Sequence, residues 1–196
     1  MSELARDVGI SPSTSRQWIS VLVASNQVLL LEPYHRSLSK RLVKSPKLYF
    51  TDTGLAAFLT GMASPESLRA SPLAGALWET HVVSQWLRWR DWIQPSAALW
   101  YWRDQAGNEV DLLVEHGGRI TPVECKLSER PTRGDARGIA RLRGFYGDET
   151  VARGFVACTA GSPFQLTDEV TAVSGWETWP LDDPATSGTT SPSDTG

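Results

Sequence analysis

The chain has 196 residues, of which 41% are hydrophobic and 21% charged, with a formal net charge of −3. That is the size of one ordinary domain, or of a small domain joined to a medium one, with the composition of a soluble globular protein. No apolar run approaches the length needed to cross a bilayer. The opening "MSELARDVGI" lacks the basic-then-apolar pattern of a secretory signal. Cys125 and Cys158 form neither a disulfide framework nor a CxxC metal site. The expectation is a cytoplasmic protein with no membrane partner.

The first segment, "SELARDVG", places Leu4, Ala5 and Val8 on one helical face, and Gly9 stops the helix. Ser11 is a good N-cap and Pro12 suits the first helical position. The helix that follows is expected to bury Trp18, Ile19, Leu22 and Val23, with Asn26 as its stop. Two helices joined by a tight Gly-containing turn make a helix-turn-helix signature. The runs "VLLLE" and "KLYF" then read as the strands of a β-wing, and "DTGLAAFLTG" as a short closing helix.

Residues 1–60 carry seven Lys or Arg against four Asp or Glu, whereas the remainder carries twelve against eighteen. Much of that basic excess lies between Pro33 and Thr51, as Arg36, Lys40, Arg41, Lys44 and Lys47, with no acidic residue. A solvated loop explains such a run. Its place in the wing of a helix-turn-helix favours contact with nucleic-acid phosphates, DNA above all.

"MASPESLRASP" reads as a linker, and a long helix is expected from Leu73 to Trp92. Strands follow at 98–103, 109–115, 119–127 and 152–158, a helix near 133–146 precedes the last of them, and a final strand covers Glu177–Leu181. The expected organisation is a partial winged helix-turn-helix (1–62), a linker (63–72), a mixed α/β domain (73–181) and a disordered tail (182–196). The pattern GxxxxGK[ST] does not occur, so this chain is not expected to hydrolyse ATP.

Chemistry concentrates in "GNEVDLLVEHGGRITPVECK". The Gly117-Gly118 pair fits a two-residue hairpin turn, in which facing residue numbers sum to 235. Asp111 then faces Glu124, and Glu109 faces Lys126. Residues two apart share a strand face, so all four project together, while Val110, Leu112, Val114, Val123, Cys125 and Leu127 form an apolar face. An amphipathic hairpin with an ordinary Glu109–Lys126 ion pair is one explanation. Against it, like charges directly opposite one another are destabilising, and Leu113, Ile120 and Pro122 make the charged side only partly wet. Glu79 also lies on an apolar helix stripe with Val82, Val83 and Trp86, where a lone carboxylate is costly unless paired. His81, Arg88 or Arg90 could satisfy it. Taken together, these carboxylates suit a hard divalent cation.

Glu79 on a helix, then Asp111, then Glu124-Cys125-Lys126, resembles the PD-(D/E)XK nuclease superfamily with its restriction-endonuclease-like fold. More of the chain, in "KSPKLYFTDTGLAAFLTG", "GALWETHVVSQWL", "YWRDQAGNEVDLLVE" and "ITPVECK", resembles the C-terminal domain of unknown function that follows an AAA-type ATPase domain in many prokaryotic proteins. The ATPase portion is absent from this sequence. The resemblance implies a winged helix joined to a nuclease-like α/β fold, with DNA and an ATPase domain or other protein as partners. It further implies Asp111 and Glu124 as ligands of Mg²⁺ or Mn²⁺, Lys126 as the residue that orients water, and Glu79 as support for a bound water or a second ion. A metal-dependent phosphodiesterase and a non-catalytic docking module both fit that pattern.

Overall fold

The structure is a computed structural model and describes residues 2–34 and 45–178. The expected tail, and Arg36, Lys40, Arg41 and Lys44, lie outside them.

Helices α1 (Ser2–Val8) and α2 (Pro12–Ala24) are joined by a tight turn. The Ser11 hydroxyl accepts the Thr14 N–H at 3.1 Å and Pro12 opens the helix, as the sequence requires. Asn26, at φ 57°, turns the chain out of α2. The burial expected on α2 is only partly realised. Ile19 is buried, but Trp18 is 56% exposed and Leu22 and Val23 are also exposed, because among the described residues only α1 and the following strand pack closely on this helix. Strands β1 (Val28–Leu31) and β2 (Lys47–Phe50) pair antiparallel, with Leu31 opposite Lys47.

Helix α3 (Thr53–Leu59) is capped by Asp52. The stretch expected to be a plain linker contains helix α4 (Pro65–Ala70), nucleated by a capping box in which Ser64 and Ser67 satisfy each other's backbone N–H groups. The long helix α5 spans Ala74–Trp92. It holds β2 in place: Ser84 donates to the Phe50 carbonyl and Arg88 to the Thr51 carbonyl, both at 3.1 Å.

Six further strands form one mixed sheet: β3 (Ala98–Arg103), β4 (Glu109–His116), β5 (Arg119–Cys125), β6 (Gly154–Cys158), β7 (Phe164–Thr167) and β8 (Val170–Ser174). Their spatial order is β3-β4-β5-β6-β8-β7, antiparallel at both ends and parallel across β5-β6-β8. The parallel β5-to-β6 step requires a crossover, supplied by a 3-10 turn (Arg133–Ala136) and helix α6 (Arg137–Tyr146). Of the final strand expected at Glu177–Leu181, residues 177–178 are not strand and 179–181 lie outside the described residues; among the described residues the last pairing is the β7–β8 hairpin.

Both faces of the sheet are covered. Trp78, Val82, Val83 and Trp86 of α5 pack on Leu112, Val114, Val123, Phe155 and Val173. Ile139 and Leu142 of α6 pack on Val110, Leu113, Ile120, Val156 and Ala172. On the hairpin side expected to be only partly wet, Leu113 and Ile120 are fully buried, while Glu109, Glu124 and Lys126 stay partly exposed. Leu127 is exposed, beyond the end of β5.

Candidate functional site

The β4–β5 hairpin keeps the expected register from His116–Arg119 to Leu112–Val123, with Gly117 and Gly118 at φ 58° and 80° in the turn. Beyond that point the geometry changes. Trp100 pairs with Leu113 and Trp102 with Val110, so Tyr101 faces two residues, Asp111 and Leu112. This β-bulge puts Val110 and Leu112 in opposite core layers although they are two apart. It also re-aims Asp111, so Glu109, Asp111, Glu124 and Lys126 do not form the single charged face expected.

Asp111 accepts the Cys125 N–H through Oδ2 at 2.9 Å and an ammonium through Oδ1 at 3.2 Å. That ammonium belongs to Lys47 of β2, which also contacts Glu79 Oε1 at 2.8 Å and Glu109 Oε1 more closely still. Tyr49, two residues along the same strand, donates to Glu79 Oε1 at 2.5 Å and fixes that carboxylate from its other side. Glu109 pairs with Lys47 and with Arg103 at 3.3 Å, not with Lys126 as expected. Oxygens of Glu79, Glu109 and Asp111 lie within 4.8 Å of one another.

Glu124 and Lys126 occupy a neighbouring position. Lys126 Nζ lies 3.4 Å from Glu124 and 3.8 Å from Asp135, and its side chain is 40% exposed. The Lys126 backbone N–H is tied to the Ala157 carbonyl, which also accepts the Trp78 indole N–H at 3.1 Å. Glu124 is mostly buried, and its Oε2 has no hydrogen-bond partner among the described residues.

The electrostatics follow from counting charges. Burial by itself would lower the pKa of Lys47, but the charges of Asp111 and Glu79 and hydrogen bonds to Glu109 and Glu79 outweigh it and hold the ammonium charged. Asp111 is pushed up to about 6, first by burial and then by Glu79. Lys47 thus gains from the cluster while Asp111 loses, because Asp111 is buried and meets Glu79 and Glu109 against the single Lys47 ammonium. Glu124 is pushed up to about 8, by burial and then by Asp111, with Lys126 offsetting part of the rise. Burial likewise raises the Tyr49 hydroxyl, helped by Glu79, so it stays a donor. The cluster favours one more positive charge.

A pH test follows from Glu124. Its folded pKa is raised above the ordinary glutamate value, so the native state holds the proton more tightly than the unfolded chain. Its contribution to stability therefore declines as pH rises from about 4.5 to about 8. Glu124→Gln does not titrate. It should be more stable than the parent by up to about 4–5 kcal/mol at pH 8.5, an advantage lost by pH 4.5. Urea denaturation in chelator measures both; a difference independent of pH would refute the assigned cause.

The sequence pointed to Glu79, Asp111 and Glu124 converging beside Lys126; the structure brings Glu79 and Asp111 to a common cation that is not Lys126, which pairs with Glu124. It missed that Lys47, assigned to phosphate contact, is this cation. Alternation in "KLYF" puts Lys47 and Tyr49 on one face, which was the available signal.

The fold and site define a mixed α/β protein in which helix and strand carboxylates close around a lysine delivered by a separate two-stranded sheet. Residues 74–179, more than half of the chain, match the family described as a domain of unknown function, DUF4143, and the chain belongs to that family. Residues 1–66 match a second domain of unknown function, DUF8612. The uncharacterized proteins Mb2031c of Mycobacterium bovis and Rv2008c of Mycobacterium tuberculosis are each 33% identical over 173 residues, covering 88% of this chain and 37% of their own length. The chain thus spans little more than a third of these relatives. No solved structure matches. No helix among the described residues is long and apolar enough to cross a membrane.

Proposed function

We propose that this chain is a nucleic-acid-binding module of an AAA-type ATPase family. Its architecture would be a winged helix joined to a PD-(D/E)XK nuclease-like fold, carrying a divalent-metal-dependent phosphodiesterase site. DUF4143 is commonly found in AAA-ATPase-associated proteins, which agrees with the architecture. The observation that carries the site is the meeting of Glu79 from α5 with Glu109 and Asp111 from β4, beside Glu124 and Lys126 from the end of β5.

The donor set fits a hard cation: carboxylate oxygens only, in negative excess, with a buried Glu124 oxygen that has no hydrogen-bond partner among the described residues. Asp111 and Glu124, with Glu79 and Glu109 adjoining, would hold Mg²⁺ or Mn²⁺. Such an ion supplies a nucleophile at neutral pH and stabilises charge on the phosphate in flight. Lys126, half in solvent, is placed to orient water and to meet the scissile phosphate. Arg36, Lys40, Arg41 and Lys44 would contact the nucleic-acid backbone; Lys47 instead pairs with Glu79, Glu109 and Asp111.

A second reading has its own support. Lys47 already supplies a positive charge to the cluster, which suits a catalytically inactive module that docks DNA or protein. Incubation with supercoiled, single-stranded and branched DNA in Mg²⁺ or Mn²⁺ separates the two. The first predicts cutting that falls by about 10²-fold or more in both Asp111→Ala and Lys126→Ala, with binding kept. Binding without cutting in the parent chain would select the docking module, and neither binding nor cutting would refute the nuclease and leave only docking to protein.

A further inference from the structure

Three features stand out across the molecule: the exposed apolar side of α2, the Trp78–His81–Trp176 aromatic group and the lysine inside the carboxylate cluster. The third carries furthest, because it joins two parts of the chain through one chemical contact. We infer that Lys47 is a displaceable internal cation that competes with a divalent ion for Glu79, Glu109 and Asp111, so that the β1–β2 sheet sets the ion affinity of the site. This inference rests on the reading of the cluster as a divalent site.

The geometry makes the competition direct. An ammonium has three donors, and those of Lys47 point at three carboxylates that offer oxygens within 4.8 Å of one another. A cation bound by the same oxygens cannot share that position with Nζ. Charge sets the sense of the exchange. Glu79, Glu109 and Asp111 carry three negative charges, and Lys47 returns one, with Arg103 reaching only the outer oxygen of Glu109. A divalent ion returns twice as much as the lysine. It must shed water to do so, and so must the departing ammonium regain it, so neither occupant wins by a wide margin.

The exchange needs little of the fold to move. β2 is fixed by its ladder to β1 and by Ser84 and Arg88 of α5. The Lys47 side chain, however, is 22% exposed, so rotation about its four-carbon stem takes Nζ from the cluster to water while the strand stays in place. Tyr49 would remain on Glu79 and keep that carboxylate oriented. A lysine that served only to neutralise the cluster would resist this exchange, and that is the distinction the test must draw.

The test is Mn²⁺ titration of the whole chain at pH 7.5, by calorimetry and by thermal melting, for the parent, Lys47→Met and Lys47→Gln. The glutamine retains a hydrogen-bond donor and so guards against loss of folding. Without ion, Lys47→Met should melt below the parent, because the carboxylates face one another uncompensated. Mn²⁺ should reverse that loss, with half-saturation at least about tenfold lower in both variants than in the parent, equivalent to about 1.4 kcal/mol. Equal half-saturation in all three proteins would overturn the competition and leave the divalent site standing. Weaker binding in the variants would overturn it too, making Lys47 a support for the ion. A variant that stays unfolded in saturating Mn²⁺ also counts against it, since the ion should replace the missing charge. No binding by any of the three would remove the divalent site itself, and the inference with it.

Discussion

Gly138→Ala is expected to destabilise the protein by about 3 kcal/mol, the upper end of the usual overpacking cost. At roughly 2–4 °C per kcal/mol, this lowers Tm by roughly 6–12 °C. Helix propensity alone predicts the opposite, because alanine in a helix is better than glycine by about 1 kcal/mol. Packing decides the sign. A Cβ on Gly138 would lie 1.9 Å from the Glu109 carbonyl oxygen and 3.1 Å from its carbon, both backbone atoms that no rotamer change can clear. Helix α6 must then lift away from β4 at the point where Glu109 and Asp111 begin the site. Gly144 on the same helix has nothing within 4 Å, so Gly144→Ala should show the propensity gain alone, about 0.5–1 kcal/mol. Thermal melts of the two variants measure this contrast. A Gly138→Ala protein as stable as Gly144→Ala would refute the close approach of helix and strand.

That contact illustrates what can and cannot be read from the chain. Local chemistry was legible: Ser11 and Pro12 open α2, and Gly117-Gly118 sets a hairpin whose register follows from counting. The strands expected at 98–103 and 109–115 and the long helix were legible from their apolar periods. The bulge opposite Tyr101 was not, because neither strand carries a glycine or proline there to mark it. Without it, alternation puts Val110 beside Leu112 and Asp111 beside Glu124, which is the arrangement the sequence suggested. The β7–β8 hairpin was missed for a different reason. Its strands have four and five residues, and "VTAVS" carries too few positions to establish a period.

Burial was misjudged on α2 because the helical pattern identifies an apolar face without saying what covers it. Trp18, Leu22 and Val23 form that face, yet only Ile19 reaches a partner among the described residues. Lys47 shows the converse error. A lysine among Arg36, Lys40, Arg41 and Lys44 looks like one more phosphate contact, and only the pairing of Leu31 with Lys47 turns it toward Glu79 and Asp111. Long-range placement, not residue type, separates the two roles.

The largest chemical effect is expected at Asp111. It alone among the acidic groups near Lys47 is also tied to the β5 backbone, through the Cys125 N–H, so it joins the Glu79 and Glu109 side of the site to Glu124. Asp111→Ala should remove a ligand and leave that N–H without its acceptor, at a cost of about 1–3 kcal/mol for the unsatisfied donor. Divalent binding should disappear with it. Loss of stability without loss of ion binding would show that Asp111 is structural only.

The most direct measurement is anomalous scattering from crystals of the parent chain grown or soaked with Mn²⁺. The account predicts one strong peak within about 2.0–2.6 Å of a carboxylate oxygen of Asp111, bordered by Glu79, Glu109 or Glu124, with Lys47 Nζ turned out toward solvent. A map at saturating Mn²⁺ with no peak there, and Lys47 still seated among the three carboxylates, would contradict it.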